Sequence, residues 1–285
     1  MDYLLPETGN IAVDNTENNT PTFTTQPSIT VLPSATPMNN NNFGKDMDYP
    51  ETKQASGTVR IPVLTYHHIA TLPSNMLSRD YYVSPAQFEI QMAYLKSKNY
   101  KTIAPKEFYD LLKAGKNPTQ KTVMITFDDG NVDNYLNAFP ILKKYNFVGV
   151  FYIPSLRSGI NKARLQEMVK AGMAIEDHGA THVDLKAENV DANLRKEIVN
   201  SKLVIEAMTG KKVYSIAYPG CVYDAQAFTF IKAAGYILGF SCGKSIDHKP
   251  GNYFSLSRIH VYNDLEDFKK RLSGIWEYPA GYSSN

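Results

Sequence analysis

The sequence predicts an α/β fold built on a parallel sheet, open or closed into a barrel. Three observations lead there. From Val59 onward, short β-prone apolar runs alternate with helical patterns, the order that generates parallel strands joined by crossover helices. The chain has 285 residues and 43% hydrophobic content, enough for one large core, and α/β barrels often fill such a length as a single domain. Candidate functional residues follow the ends of predicted strands: His67, Asp128, His178, Pro219 and Cys242. In a barrel that end is the catalytic face.

Residues 1–58 are rich in Asn, Thr, Pro and Ser, include the run Asn39–Asn42 and show no sustained periodicity, so a disordered tail or linker is expected before a folded domain at 59–285. Ile61–Tyr66 reads as the first strand. Ser84 is the expected N-cap of a helix with Pro85 in its first turn, running to about Lys98. Val123–Phe127 is an apolar strand, Asp133–Tyr145 a helix and Val148–Ile153 a strand. A helix over Lys162–Lys170 stops before Gly172, a suitable C′ residue. Met173–Glu176 is a short strand leading into His178. Asp191–Met208 is the longest predicted helix and stops at Gly210. Val213–Tyr218, Tyr236–Ser241 and Phe254–Val261 read as strands, with helices over Asp224–Ala233 and Leu265–Leu272.

Charge and composition exclude several classes. Residues 1–57 carry seven acidic and two basic side chains and the remainder 28 basic and 21 acidic, without the Lys/Arg runs of a nucleic-acid surface. No stretch approaches the roughly 18 apolar residues of a membrane span, and no signal-peptide pattern is evident. Two cysteines, Cys221 and Cys242, are too few for a disulfide scaffold. They follow consecutive predicted strands at the same end, about 4.8 Å apart if neighbours, so a disulfide is expected if the protein is exported.

The chemistry is concentrated in two motifs. Asp128 and Asp129 are adjacent in VMITFDDG (123–130), and strand alternation would point them different ways, one toward a metal and one toward a water. His178 and His182, spaced i, i+4, can offer two imidazoles to the same ion. An Asp at such a turn can simply cap the following helix, but that leaves the second carboxylate unexplained, and a buried unpaired charge is costly. A lone histidine at a strand end is more often a packed core residue than a ligand; the pairing, with two carboxylates upstream, reverses that balance. Asp129, His178 and His182 form a His₂Asp set for one divalent cation with open positions.

TFDDG (126–130), HGATHVDL (178–185) and AYPGCVYD (217–224) resemble the first three motifs of the NodB-homology polysaccharide deacetylases, and PVLTYHH (62–68) and LSRIHV (256–261) resemble the branch with exported poly-N-acetylglucosamine deacetylases. The resemblance covers about residues 60–275. It implies an irregular (β/α) barrel and metal-dependent removal of acetyl groups from an N-acetylated glycan. By correspondence, Asp128 is the catalytic base, Asp129, His178 and His182 hold the metal (zinc, with nickel or cobalt also suited to the donors), the Gly220 N–H serves the oxyanion, and His67 protonates the leaving amine. His260 is the rival for that last role. Four positions in these motifs depart from the family: Gly179 replaces a loop-supporting Ser or Thr, Ala217 replaces an Arg that would orient Asp128, Gly220 replaces an aromatic, and Cys221 replaces a Gly. Arg258 can substitute for the missing Arg. An extracellular or cell-envelope location, a monomeric state and a glycan rather than nucleic-acid partner are expected. An esterase on O-acetylated xylan and an inactive glycan-binding module of the same fold are the alternatives.

Overall fold

The computed structural model describes residues 49, 51–73, 80–187 and 190–276. Seven parallel strands, numbered in chain order, form the centre: β1 Val63–Tyr66, β2 Thr122–Phe127, β3 Gly149–Ile153, β4 Ala174–Asp177, β5 Ser215–Ala217, β6 Leu238–Cys242 and β7 Leu256–His260. Each pairs with its neighbour in sequence, and β7 returns to β1 through Ile259↔Leu64 and His260↔Thr65, so the sheet closes into a barrel. Of the two sheet topologies open at the sequence level, the closed one is found. Short two-residue strands lie outside the ring: Lys101–Thr102 adds to β2, and Val59–Arg60 pairs antiparallel with Asp247–His248.

Among the described residues, eight helices surround or close the barrel. They are α1 Pro85–Ser97, α2 Pro105–Ala114, α3 Phe139–Tyr145, α4 Lys162–Lys170, α5 Asp191–Leu194, α6 Ser201–Thr209, α7 Ala225–Ala233 and α8 Leu265–Leu272. Their starts follow the capping residues in the sequence. Ser84, Asn161, Asp224 and Asp264 accept N–H bonds from Gln87, Arg164, Ala227 and Asp267. The α2 helix was not expected. Pro105 opens it, Gly115 closes it in left-handed conformation, and Phe108 and Leu112, one turn apart, are both buried. These two pack with Val59, Ile61, Met124 and Phe240 and close the barrel end away from the functional residues. The hydrophobic core therefore has two parts. The smaller fills the barrel, and the larger lies between strands and surrounding helices.

Two expected helices differ in detail. Asp133–Tyr145 begins with a π-helical turn at Asn134–Ala138, and the long run after Asp191 contains another at Arg195–Asn200. A π turn carries an extra residue and rotates the remainder of its helix, a device common near functional sites. The expected strand Val213–Tyr218 shortens to Ser215–Ala217. The N–H groups of Tyr214 and Ser215 bond to the Glu176 carboxylate (2.8 and 2.6 Å) instead of to a neighbouring strand, and β4 and β5 share only the pair Asp177↔Ile216. This junction makes the barrel irregular.

The expected tail lies largely outside the described residues. Its last part, 51–58, is described and is tied to the barrel: Thr52 N–H bonds Ser273 O at 2.9 Å and Ala55 N–H bonds Asp247 Oδ2 at 3.0 Å. Among the described residues no helix is long and apolar enough to cross a membrane.

Candidate metal and acid–base centre

Strand periodicity assembles the site. Side chains alternate along each strand, so alternate positions face the barrel axis. Val63, Met124, Tyr152, Ala217 and Leu256 belong to the barrel-filling cluster. Counting by twos from these gives Thr65 and His67 on β1, Thr126 and Asp128 on β2, and Arg258 and His260 on β7. The polar residues thus collect at one end of the barrel, above its apolar filling.

Asp128 is 3% exposed and is gripped by Arg258 in a two-pronged ion pair, Nη1 to Oδ1 at 2.6 Å and Nη2 to Oδ2 at 2.7 Å. Planar guanidinium matches carboxylate, which fixes the orientation of both. Burial would raise the Asp128 pKa, but the guanidinium outweighs it and holds the carboxyl below its usual range. The Arg258 guanidinium also lies over the Tyr152 ring, 5.3 Å from its centroid.

Asp129 leaves the strand in left-handed backbone, φ 71°. That turn, and not strand alternation as the sequence suggested, separates the two carboxylates. Gly130 follows at φ 63°, where an added Cβ would lie 2.6 Å from Ser158 Oγ, so the turn requires glycine. His182 is also left-handed, φ 60°. Of five non-glycine left-handed residues among the described ones, Asp129 and His182 are at the proposed metal site, which fits the pattern of strain stored at functional positions.

The donor atoms of Asp129, His178 and His182 lie within 4.8 Å of one another. Asp129 Oδ1 is 3.1 Å from His182 Nε2 and 3.4 Å from His178 Nε2. Donors placed about 2.0–2.1 Å from one tetrahedral ion stand roughly 3.3–3.4 Å apart, so the spacing fits a divalent cation. His178 is buried, and its Nδ1 meets the Ala217 carbonyl at 2.7 Å. A carbonyl only accepts, so Nδ1 carries the proton and Nε2 presents its lone pair to the centre. Asp129 Oδ1 is buried without a hydrogen bond of good geometry, an acceptor placed where a cation could be held. Burial would raise the Asp129 pKa, but the two imidazoles drive it well below the carboxylate range.

His67 faces the same space. Its Nδ1 is buried without a partner, and its ring lies 5.2 Å from the His260 ring and 4.8 Å from that of Tyr81. Burial lowers its pKa to about 4. His260, also lowered by burial, commits Nε2 to the Asp80 carbonyl. His68 points the other way, to Asp133 Oδ2 at 2.7 Å and against the Tyr82 ring. Gly220 sits in a tight turn at Pro219–Cys221, closed by Cys221 N–H to Tyr218 O and Val222 N–H to Pro219 O; its own N–H takes no part in either bond. Cys221 and Cys242 form a disulfide with Cα atoms 5.4 Å apart, fastening this turn to the end of β6.

The sequence did not reveal the supports behind these groups. Asn134 Nδ2 donates to His67 O at 2.8 Å, and Asp133 Oδ1 accepts from Ile69 N–H at 2.8 Å. The polar residues Asn131, Asp133 and Asn134 shortly after the aspartates were the available signal. Glu197 bonds the loop before His182 across a separation that follows no periodic pattern.

Residues 115–238 match a family model described as polysaccharide deacetylase. The poly-beta-1,6-N-acetyl-D-glucosamine N-deacetylase of Staphylococcus aureus (strain MRSA252) is 32% identical over 217 residues, covering 70% of this chain and 74% of that protein. Among solved structures, the Streptococcus pyogenes deacetylase PplD in complex with acetate superposes with a TM-score of 0.70 at 26% identity, covering 78% of this chain and 100% of that one. BC0361, a polysaccharide deacetylase from Bacillus cereus, superposes with a TM-score of 0.66 at 27% identity, covering 75% of this chain and 69% of that one.

Proposed function

This chain belongs to the polysaccharide deacetylase family, and from that premise we propose that it hydrolyses N-acetyl groups of an N-acetylglucosamine-containing polysaccharide in a metal-dependent reaction. The observation that carries the reading is the His₂Asp donor cluster beside an Arg-clamped, buried carboxylate at one end of a closed barrel.

Asp129, His178 and His182 would hold the cation, zinc being our assignment with nickel or cobalt also compatible with the donors, and when bound it would supply Lewis acidity to water and to the acetamide carbonyl. Asp128 accepts the water proton. Arg258 keeps that carboxylate ionised and aimed, at the cost of basicity, so Asp128 suits a water proton that is already acidic. The Gly220 N–H is assigned to the oxygen on which negative charge develops. His67 is uncharged at neutral pH in the resting protein and takes up a proton from solvent as negative charge builds beside it, while Asp128 returns the water proton to solvent. His67 then delivers its proton to the departing nitrogen. Water adds to the carbonyl carbon, the C–N bond breaks, and acetate and a free sugar amine leave.

The disulfide supports an oxidising setting outside the cytosol, where such polymers lie. We expect a monomer. The departures at Gly179, Ala217 and Cys221 kept an inactive module open as an alternative at the sequence level. Arg258 bonded to Asp128, and a fully hydrogen-bonded 179–181 loop, support an active centre instead. Acetate release from β-1,6- and β-1,4-linked N-acetylglucosamine oligomers, assayed beside O-acetylated xylan with and without chelator, tests the proposal. Chelator-sensitive release from an N-acetyl substrate is expected. Release from xylan alone would favour the esterase, and no release in metal-supplemented buffer would favour the binding module.

A further inference from the structure

We propose that Glu197 is a positioning residue for the metal site: its carboxylate holds the loop that presents His182. This rests on the metal reading above. Glu197 lies in the π-helical turn Arg195–Asn200 and is 3% exposed. Its Oε2 accepts the N–H groups of Ala180 (2.9 Å) and Thr181 (2.8 Å), and its Oε1 accepts the Thr181 hydroxyl (2.8 Å). The other main-chain groups of this loop are also engaged. Gly179 N–H points to the Asp177 carboxylate. The carbonyls of Gly179, Ala180 and Thr181 accept from Ser155 N–H, Leu156 N–H and Arg157 Nη1. The carbonyl side is thus held by main chain and a surface Arg, whereas two adjacent N–H groups depend on one buried side chain. His182 follows immediately, in left-handed backbone that only a well-fixed loop sustains. The π turn supplies the register that brings Glu197 over the loop.

The role is geometric, and two mild variants separate it from a charge effect. In Glu197→Gln the amide oxygen can accept both N–H groups while the NH₂ donates to the Thr181 hydroxyl oxygen. In Glu197→Asp the charge remains, but the shorter side chain cannot span both N–H groups and the hydroxyl. The probe is Co²⁺, titrated into chelator-stripped protein against a competing chelator, with its visible absorption recorded. Glu197→Gln is expected to keep the affinity and spectrum of the unmodified protein. Glu197→Asp is expected to bind Co²⁺ about 10–100-fold more weakly, the usual effect of losing a group that orients a ligand, with an altered spectrum. Unchanged affinity and spectrum in a folded Glu197→Asp would overturn the proposal, as would a weakened Glu197→Gln beside an intact Glu197→Asp. No Co²⁺ uptake by the unmodified protein would overturn the metal reading and this inference together.

Discussion

Asp128 and Arg258 share one buried ion pair, and the two residues do different things when changed. Asp128→Asn removes the charge but keeps the shape, and the proposed cation donors are on other residues. The variant should retain its divalent ion, measured by elemental analysis, while kcat falls by roughly 10²–10⁴-fold, the span general-base catalysis contributes. Loss of the ion would mean that Asp128 and Asp129 have exchanged roles. The acid is argued from availability. His260 commits Nε2 to the Asp80 carbonyl, whereas His67 keeps an unpartnered Nδ1 in the same space. An amine is a poor leaving group and needs a proton, while an activated ester does not. His67→Ala should therefore depress amide hydrolysis far more than hydrolysis of an activated acetate ester; equal losses, or a larger selective loss in His260→Ala, would move the role to His260. At this scale the residues of the proposed donor cluster were legible because they fall in two short motifs, the adjacent aspartates and the His178/His182 pair. The partnership of Arg258 with Asp128 was anticipated only through the family resemblance, since their residues lie 130 apart. Glu197 was invisible, because a lone Glu in a helical run looks like surface charge.

The strands were legible from their apolar runs, and the β4–β5 junction shows where that reading stops. Periodicity says nothing of a carboxylate taking the place of a ladder, as Glu176 does for Tyr214 and Ser215 N–H. The same blindness merged α5, a π turn and α6 into one helix, since one extra residue barely disturbs an apolar pattern over three turns. The α2 helix has its marks in the sequence: Pro105, the Phe108–Leu112 spacing and Gly115 set its start, face and end. The Glu176 junction has a pH signature. Burial pushes its carboxyl from an ordinary 4.5 up to about 8. Between those values the folded protein binds more protons than the unfolded chain, so stability falls as pH rises through that window. Asp177, raised by burial to about 7, contributes with the same sign. Buried His67 and His248, lowered to about 4, act with the opposite sign below their ordinary 6.5, so the window lies above that value: the melting temperature of the chelator-treated protein should be higher at pH 6.5 than at pH 8. Glu176→Gln, which does not titrate, should narrow that difference, and an undiminished difference would mean that other groups set it.

The whole molecule separates its functions along the barrel axis. One end carries the charged centre and the disulfide-tied turn. The other is filled by Phe108 and Leu112 and crossed by the chain that enters β1. The entering segment contributes to stability at a distance from the chemistry. Tyr49 O accepts the Ser273 hydroxyl at 3.1 Å, and Thr52 bonds Ser273 O through both N–H and hydroxyl. These bonds cover the end of α8, whose last carbonyls have no partner within the helix. Ala55 N–H joins Asp247, which is itself paired with Arg60 at 2.7 Å. Composition alone placed the whole of 1–58 in a tail, because hydrogen bonds made by Thr52 and Ala55 leave no trace in hydrophobic pattern. Two truncations test the distinction, one beginning at Tyr49 and one at Gly57. The longer truncation removes the Thr52 and Ala55 bonds, each worth about 0.5–1.5 kcal/mol net, or roughly 2 kcal/mol together. For a domain of this size that corresponds to a melting temperature lower by about 4–8 °C than in the chain starting at Tyr49. The kcat on soluble oligosaccharides should be the same in both, since the bonds lost lie at the end away from Asp128 and Asp129. Equal melting temperatures would return 51–58 to the tail, and a selective fall in kcat would show that the entering segment reaches the chemistry through the barrel.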